Sequence, residues 1–228
     1  MKLLFCLLAL PLFSAPVGNP ANPVLLDEGF WIPDTFWSNV QAGATQDFLI
    51  QKKLMPAKKF SHLPLSKIKM EGNSQIANLV WCIREKLNIQ MNLGSARFKW
   101  RWNDQRQSIR GSGSGFFLGG DIKLVLLEAQ DTVFAADGQA GIWKDSGAEY
   151  SYWQGAFALS HKFRFLAPYA GWTFNGTNFK AEQISFRALI LSGPFAGCTI
   201  SNGSRFFLSA EYRGWFEQGA SVSAQVRF

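Results

Sequence analysis

The residues able to carry nucleophilic or acid–base chemistry are few and poorly placed. Two histidines occur, and His62 directly follows Ser61. Adjacent side chains are badly positioned for the hydrogen bond that activates a serine nucleophile, and no third orienting group is evident. His161 lies beside Lys162 in a predicted periplasmic turn, far from the predicted outer mouth. We therefore predict that the protein is not an enzyme.

No metal, cofactor or phosphate site is predicted. Once residues 1–15 are removed, Cys82 and Cys198 remain, and neither has a close Cys or His partner with the spacing of a zinc site. The sequence leaves open whether they pair with each other or with another protein. Residues 110–115 read Arg-Gly-Ser-Gly-Ser-Gly, but a phosphate-binding loop is followed by a helix. The strand-like residues 116–118 follow instead, which favours a flexible outer loop.

The composition excludes two classes of protein. Of 228 residues, 47% are hydrophobic, 15% aromatic and 17% charged, whereas a soluble domain has about 25% charged residues. Disordered chains are rich in charge and poor in aromatics, so this chain is predicted to fold. Beyond the first fifteen residues, no apolar run approaches the roughly 18 residues that a membrane-spanning helix needs.

The N-terminus has the pattern of an export signal. Lys2 precedes an apolar core, residues 3–13, which ends at Ser14-Ala15. Residues 1–15 are therefore predicted to be a secretory signal peptide, and the Pro-rich residues 16–36 an irregular leader. The folded part is predicted to be residues 37–228.

From residue 37 onwards, apolar and polar residues alternate with period two between turn residues. Near the C-terminus Val222, Ala224 and Val226 share one face, and Ser223 and Gln225 share the other. This pattern indicates strands with two different faces. The chain ends on an aromatic residue, and tryptophans fall near strand ends, where an interfacial girdle requires them. These features favour a membrane barrel over a soluble sandwich or barrel.

The predicted fold class is all-β, a transmembrane antiparallel β-barrel of about ten strands. Short and long connections alternate, as in barrels with short periplasmic turns and longer outer loops. Twelve strands is the alternative, which requires a turn at Ser192-Gly193-Pro194 and a further strand within residues 52–72. The ten predicted strands are residues 37–51, 73–84, 87–102, 115–127, 132–143, 150–160, 163–174, 182–201, 204–215 and 219–228.

Residues 87–102 contain a change of phase. Apolar residues occupy odd positions up to Leu93 and even positions from Phe98 onwards. A slip of one residue turns every later side chain to the other face, so we predict a β-bulge near Gly94-Ser95-Ala96. The bulge would turn a basic row towards the lumen, consisting of Arg97, Lys99 and Arg101.

The polar faces of the strands predict a net basic lumen. Seven cations point inward against four acidic residues, and a charged row lining a pore biases which ions pass. A plugged lumen stays open as an alternative, because barrels of about eight strands are filled by side chains. Cys82 is also predicted to face the lumen. The candidate pore-lining residues are Arg97, Lys99, Arg101, Asp121, Lys123, Arg187, Glu211 and Arg213, with Asp47, Asp137 and Arg227 on the same face.

Four lysines in the first long connection are candidates for binding at the outer surface. They are Lys52, Lys53, Lys58 and Lys59, in a chain of formal net charge +7. An export signal argues against nucleic acid as the partner, so outer-membrane lipid, lipopolysaccharide or a host glycan is the better candidate. Contacts with a host surface or an envelope protein, and oligomerisation, stay open.

Five short fragments form an ordered set that covers both ends and part of the middle of the chain. They are Pro16-Val17-Gly18-Asn19-Pro20-Ala21, residues 153–160, Ala167-Pro168-Tyr169-Ala170-Gly171, Glu211-Tyr212-Arg213 and residues 222–228. In this order they resemble the chlamydial major outer membrane porins, of which this chain looks like a short divergent member. The resemblance implies a bacterial outer-membrane porin, in a family of general diffusion pores and cysteine-crosslinked wall components. The long variable loops and most cysteines of that family are missing here.

The function predicted from these features is porin-like passive diffusion of small solutes with a mild anion bias. The predicted location is the bacterial outer membrane, reached by export with the signal peptide. The alternative is a closed structural or adhesive barrel that acts through the loops at residues 52–72 and 103–114.

Overall fold

The computed structural model describes residues 16–19, 40–56, 68–84, 86–103, 108–181, 184–201, 206–215 and 217–227. No helix in this part of the chain is long and apolar enough to cross a membrane. Ten strands occur: β1 (Val40–Pro56), β2 (Ile68–Arg84), β3 (Leu87–Asn103), β4 (Ser108–Ala129), β5 (Thr132–Lys144), β6 (Ala148–His161), β7 (Leu166–Ala181), β8 (Ile184–Ser201), β9 (Phe206–Arg213) and β10 (Glu217–Arg227).

The strands form a closed antiparallel barrel. Each strand pairs with its neighbours in the sequence, and β1 pairs with β10 to close the sheet. This confirms the predicted all-β barrel and its ten strands. Residues 184–201 form one strand, β8, without a turn at Gly193-Pro194.

The outward face of the wall is a band of exposed apolar side chains. On β4, Phe116, Leu118 and Ile122 are between 40% and 60% exposed, whereas Asp121 and Lys123, on either side of Ile122, are buried. Exposed apolar residues that alternate with buried polar ones are the pattern of a barrel facing lipid. The alternation read from the sequence therefore places each face correctly within this band.

One connection between strands is much longer than the others and identifies one end of the barrel. Residues 57–67 join β1 to β2 at one end, and residues 130–131 and 162–165 are turns at the other, where β1 begins and β10 ends. Outer-membrane barrels have short periplasmic turns and longer outer loops. We therefore name these the outer end and the periplasmic end.

The barrel narrows towards the outer end. Strands β9 and β10 have 8 and 11 residues, against 22 in β4. Beyond them β1 reaches β8 directly, with Met55 opposite Arg187 and Pro56 opposite Phe186. The wall thus contains ten strands at the periplasmic end and eight at the outer end.

Several strands extend further outward than the sequence predicted. Strand β2 begins at Ile68 and β4 at Ser108. The prediction of a flexible loop at residues 110–115 is wrong, because residues 108–115 pair with β3 without a break. The glycines of this segment lie in a strand.

The predicted bulge in β3 is also wrong. The register between β2 and β3 is unbroken from Lys69–Arg101 to Cys82–Asn88, and β3 pairs with β4 without a shift. Even-numbered residues of β3 therefore face inward from Asn88 to Trp100, and the row Arg97, Lys99 and Arg101 is exposed on the outside. At about 3.3 Å per residue, 17 residues extend well beyond an apolar band about 25 Å tall. Within the band, the outward face of β3 is apolar and its inward face is polar. Beyond the band, the outward face is charged and the inward face is apolar.

Candidate functional site

The outer half of the barrel interior is filled by apolar side chains, here named the aromatic layer. Phe98 packs edge-on against Trp143 with ring centroids 4.2 Å apart, and both side chains are fully buried. The Trp143 Nε1–H donates a hydrogen bond to the Ala96 carbonyl oxygen at 3.0 Å. The members of the aromatic layer are Leu49, Leu54, Ile68, Met70, Ile76, Ala96, Phe98, Phe117, Trp143, Ala148, Tyr150, Tyr152, Phe179 and Phe186.

Glycines of β4 make room for this layer. A Cβ at Gly111 would overlap the indole of Trp100, and one at Gly113 would lie 3.1 Å from the Trp143 ring. Glycine within a strand often marks a close approach of this kind. The glycine at every second position of this segment is the sequence signal for the close packing, although the same pattern also fits a flexible loop.

A buried cluster of charges, here named the ion network, joins β1, β9 and β10 next to the aromatic layer, with Arg213 and Glu217 at the outer ends of β9 and β10. Arg213 forms a salt bridge with Asp47, and its Nη1 lies 3.7 Å from Glu211 Oε1. The Nζ of Lys52 lies 2.8 Å from Glu217 Oε2, and Arg213 Nε lies 3.8 Å from Glu217 Oε1. Each of these side chains is at most 6% exposed. Buried charges are tolerated when they are paired in this way.

Two members of the ion network were misplaced or missed by the sequence. Lys52 was predicted in an outer loop, but its side chain lies inside the barrel and its Nζ donates to Tyr150 Oη at 3.2 Å. A register shift after Leu49 in β1 exchanges the inward and outward positions, which is why Lys52 points inward. Glu217 was missed because β10 begins two residues before the predicted strand. Extending the inward phase of Ser221 back to residue 217 would have found it.

The other residues predicted from the sequence differ in where the structure places them. Asp121, Lys123 and Asp137 are buried inside the barrel, and Lys53 is exposed on the outer wall. For Arg187 only the backbone, on β8, is described. The remaining candidates lie outside the described residues, namely Lys58, Lys59, Ser61 and His62.

Residues 16–19 lie inside the barrel and are here named the lumen segment. The backbone N–H groups of Val17 and Gly18 donate to Glu211 Oε1 at 3.1 Å and Oε2 at 2.9 Å. Gln139 Nε2 donates to the Pro16 carbonyl oxygen at 2.9 Å. The Val17 side chain is fully buried, in a cluster with Ala156, Ala158, Tyr169 and Phe195. The sequence predicted only an irregular leader here.

Two small cavities lie beside these groups. A cavity of about 20 Å³ lies between the lumen segment, Lys123 and Glu211. A second, of about 10 Å³, lies beside Arg213 and Glu217. A volume of this size holds about one water molecule.

The cysteines and His161, which were considered for redox or catalytic chemistry, lie apart from one another in the barrel wall. Cys82 and Cys198 do not form a disulfide with each other. Gln41 Nε2 donates to the Cys82 Sγ at 3.2 Å. The Nδ1 of His161 lies 2.8 Å from Thr132 Oγ1 at the periplasmic end. Within the described residues, no group of three or more His, Cys, Asp and Glu side chains is arranged to hold a metal ion.

No protein-family profile matches the sequence, and no curated protein sequence matches it. Solved barrels are similar in fold. The β domain of the Bordetella autotransporter BrkA has a TM-score of 0.55 and 9% identity, over 83% of this chain and all of that one. An outer-membrane channel from Pseudomonas putida F1 has a TM-score of 0.49 and 7% identity, over 87% of this chain and 100% of that one. At such identities the likeness concerns the fold alone, which is that of an outer-membrane β-barrel.

Proposed function

Starting from an outer-membrane barrel, we propose that this protein is closed to solutes and acts as a structural or adhesive barrel through its outer end. The observation that carries the proposal is the aromatic layer, which fills the eight-stranded part of the barrel. An eight-stranded barrel has an interior just wide enough for side chains to fill. Trp143, Phe98, Phe179 and Phe186 are at most 1% exposed. The lumen segment supports the same proposal, because it fills part of the wider periplasmic half.

The second candidate is porin-like passive diffusion of small solutes. Unsatisfied polar groups inside the barrel favour it, since the buried polar atoms of Thr173, Asn175 and Thr177 have no hydrogen-bond partner among the described residues. Such groups normally bind water. Conduction would still require both the aromatic layer and the lumen segment to move.

The predicted anion bias loses its basis in either case. It depended on the row Arg97, Lys99 and Arg101, which faces outward. Among the described side chains that face inward, four cations stand against five acidic residues. They are Lys52, Lys123, Arg213 and Arg227 against Asp47, Asp121, Asp137, Glu211 and Glu217.

Planar-bilayer recording of the refolded protein tests closure. We expect no discrete conductance steps from the unaltered protein, and steps from the double variant Phe98→Ala/Trp143→Ala, which opens the aromatic layer. The matched control is Trp153→Ala/Phe157→Ala, which removes two exposed aromatics from the lipid-facing side of β6. Each variant must shift in gel mobility on boiling, as a folded barrel does. Regular conductance steps from the unaltered protein would support diffusion and reject the closed barrel.

The remaining features of the proposal concern export, relatives and partners. The signal peptide at residues 1–15 would leave Pro16 as the first residue, and mass spectrometry of the protein purified from membranes measures that start directly. The relationship to chlamydial porins, the lack of enzymatic activity and the binding of lipopolysaccharide or host surfaces stay predictions.

A further inference from the structure

The outer wall carries four cations in a single line across four strands, here named the basic row. The register of β1 to β4 places Lys53 opposite Lys69, Lys69 opposite Arg101, and Arg101 opposite Arg110. All four side chains are exposed and face away from the barrel interior. No acidic residue stands in the row.

This arrangement is unfavourable unless anions accompany it. Directly opposite residues in a sheet have Cβ atoms about 5 Å apart, and like charges at that separation are destabilising. Lys99 and Arg97 follow in the next two rows towards the membrane, where Glu71 is the one acidic neighbour in register. Six cations therefore share one carboxylate on this part of the wall.

The cations lie directly above the lipid-facing band. On β4 the outward positions run from Arg110 through Ser112 and Ser114 to Phe116, the first exposed apolar residue. At about 3.3 Å per residue and a tilt of about 40°, these six steps span about 15 Å of height. A phospholipid headgroup layer is about 5 to 8 Å deep. The height of the cationic surface therefore favours a lipid with a taller, phosphorylated sugar headgroup.

A groove gives this surface its shape. It encloses about 320 Å³, and its lining includes Lys69, Glu71, Lys99, Arg101 and Arg110. Arginine side chains bind phosphate through two parallel hydrogen bonds, which makes them suited to this ligand. Elsewhere at the outer end, the exposed charges on β6 and β7 are balanced, with Lys180 Nζ 3.7 Å from Glu149 Oε1.

We propose that the basic row and its groove bind the phosphate groups of a phosphorylated glycolipid of the outer leaflet. The acyl chains of the lipid lie against the apolar band below, beside residues such as Leu93 and Leu118. This site shares only Lys53 with the outer-loop lysines considered from the sequence, and it does not depend on whether the lumen is closed.

The test compares two double variants of the full-length refolded protein in detergent. Arg101→Gln/Arg110→Gln removes two cations of the basic row, and the matched control Lys144→Gln/Lys180→Gln removes two exposed cations elsewhere at the outer end. Native mass spectrometry measures the binding of bisphosphorylated lipid A. We expect about 30-fold weaker binding for the first variant and unchanged binding for the control. A second pair from the same groove, Lys69→Gln/Lys99→Gln, should weaken binding similarly.

Three outcomes of the lipid A measurements would overturn the proposal. They are unchanged binding in both groove variants, equal loss in the control, and dephosphorylated lipid A that binds as tightly as the phosphorylated form. Inorganic pyrophosphate serves as the soluble probe, and equally tight binding of pyrophosphate would reject a lipid as the ligand. Gel mobility before and after boiling establishes that each variant is a folded barrel.

Discussion

Both halves of the barrel interior are packed with side chains, which are mainly apolar in the outer half and mainly polar in the periplasmic half. The outer half is apolar, with Phe98 and Trp143 in edge-to-face contact. The periplasmic half is polar, with Asp121, Lys123 and Asp137 buried inside it. Where the two halves meet, Arg213 lies between Asp47, Glu211 and Glu217. Both sets of side chains are on inward faces of the same sheet, so strand periodicity alone does not decide their character.

The difference follows from the number of strands at each height. Where eight strands close through β1 and β8, aromatic side chains meet across the interior and fill it. Where ten strands close, the interior is wider, and side chains of β1, β9 and β10 are supplemented by the lumen segment. Because the β9–β10 hairpin is short, only the periplasmic half has the width that the lumen segment occupies.

The largest loss in the free energy of unfolding is expected from a substitution in the ion network. Arg213→Ala leaves Asp47 and its acidic neighbours buried without their cation, which costs about 3 to 5 kcal/mol. Urea unfolding of the refolded protein in lipid vesicles measures the loss. Arg97→Ala is the matched control, because this arginine is exposed on the outer wall. Equal unfolding midpoints for the two variants would show that the ion network does not stabilise the barrel.

The next effect tests where the lipid-facing band lies. Ile122 is close to the middle of the exposed apolar stretch of β4, so Ile122→Lys should cost about 2 to 4 kcal/mol. Ser112→Lys, on the same face of the same strand but beyond the band, should cost about 0 to 1 kcal/mol. The same unfolding assay applies. Similar losses at the two positions would contradict the placement of the outer end above the lipid.

The smallest effect is expected at the glycines of the outer half. Gly111→Val forces Trp100 to move, and overpacking of this kind costs about 1 to 3 kcal/mol. Gly138→Val is the control, since a Cβ there has no atom within 4 Å. The unfolding midpoint and the tryptophan fluorescence of the folded barrel measure the change. If both variants behave alike, the aromatic layer does not depend on close approach at β4.

The sequence predicts the fold and the wall well, and the interior only in part. In β10 the alternation is enough to separate Val222 from Ser221, because lipid lies outside and polar groups lie inside. That rule applies only within the apolar band, which is why it failed for Arg97 on β3. For Lys52 the obstacle was a register shift that leaves no mark in the composition of β1.

The lumen segment was beyond prediction for a different reason. It has no periodicity, and its position depends on contacts with distant residues such as Gln139, Ser160 and Glu211. Likewise, a carboxylate at position 217 can be buried because it pairs with Lys52 on β1 and Arg213 on β9. Long-range contacts of this kind are invisible in a local pattern.

The lumen segment also has a consequence for the order of assembly. Its contact from Val17 to Glu211 joins residues 194 positions apart, and it precedes every strand along the chain. Barrel closure between the first and last strands is similarly non-local. Contacts of such sequence separation slow folding, because the entropy of closing a long loop is lost before the contact forms. Residues 16–19 therefore acquire their final neighbours only when β9 has formed, and barrel closure and the docking of the lumen segment are completed together.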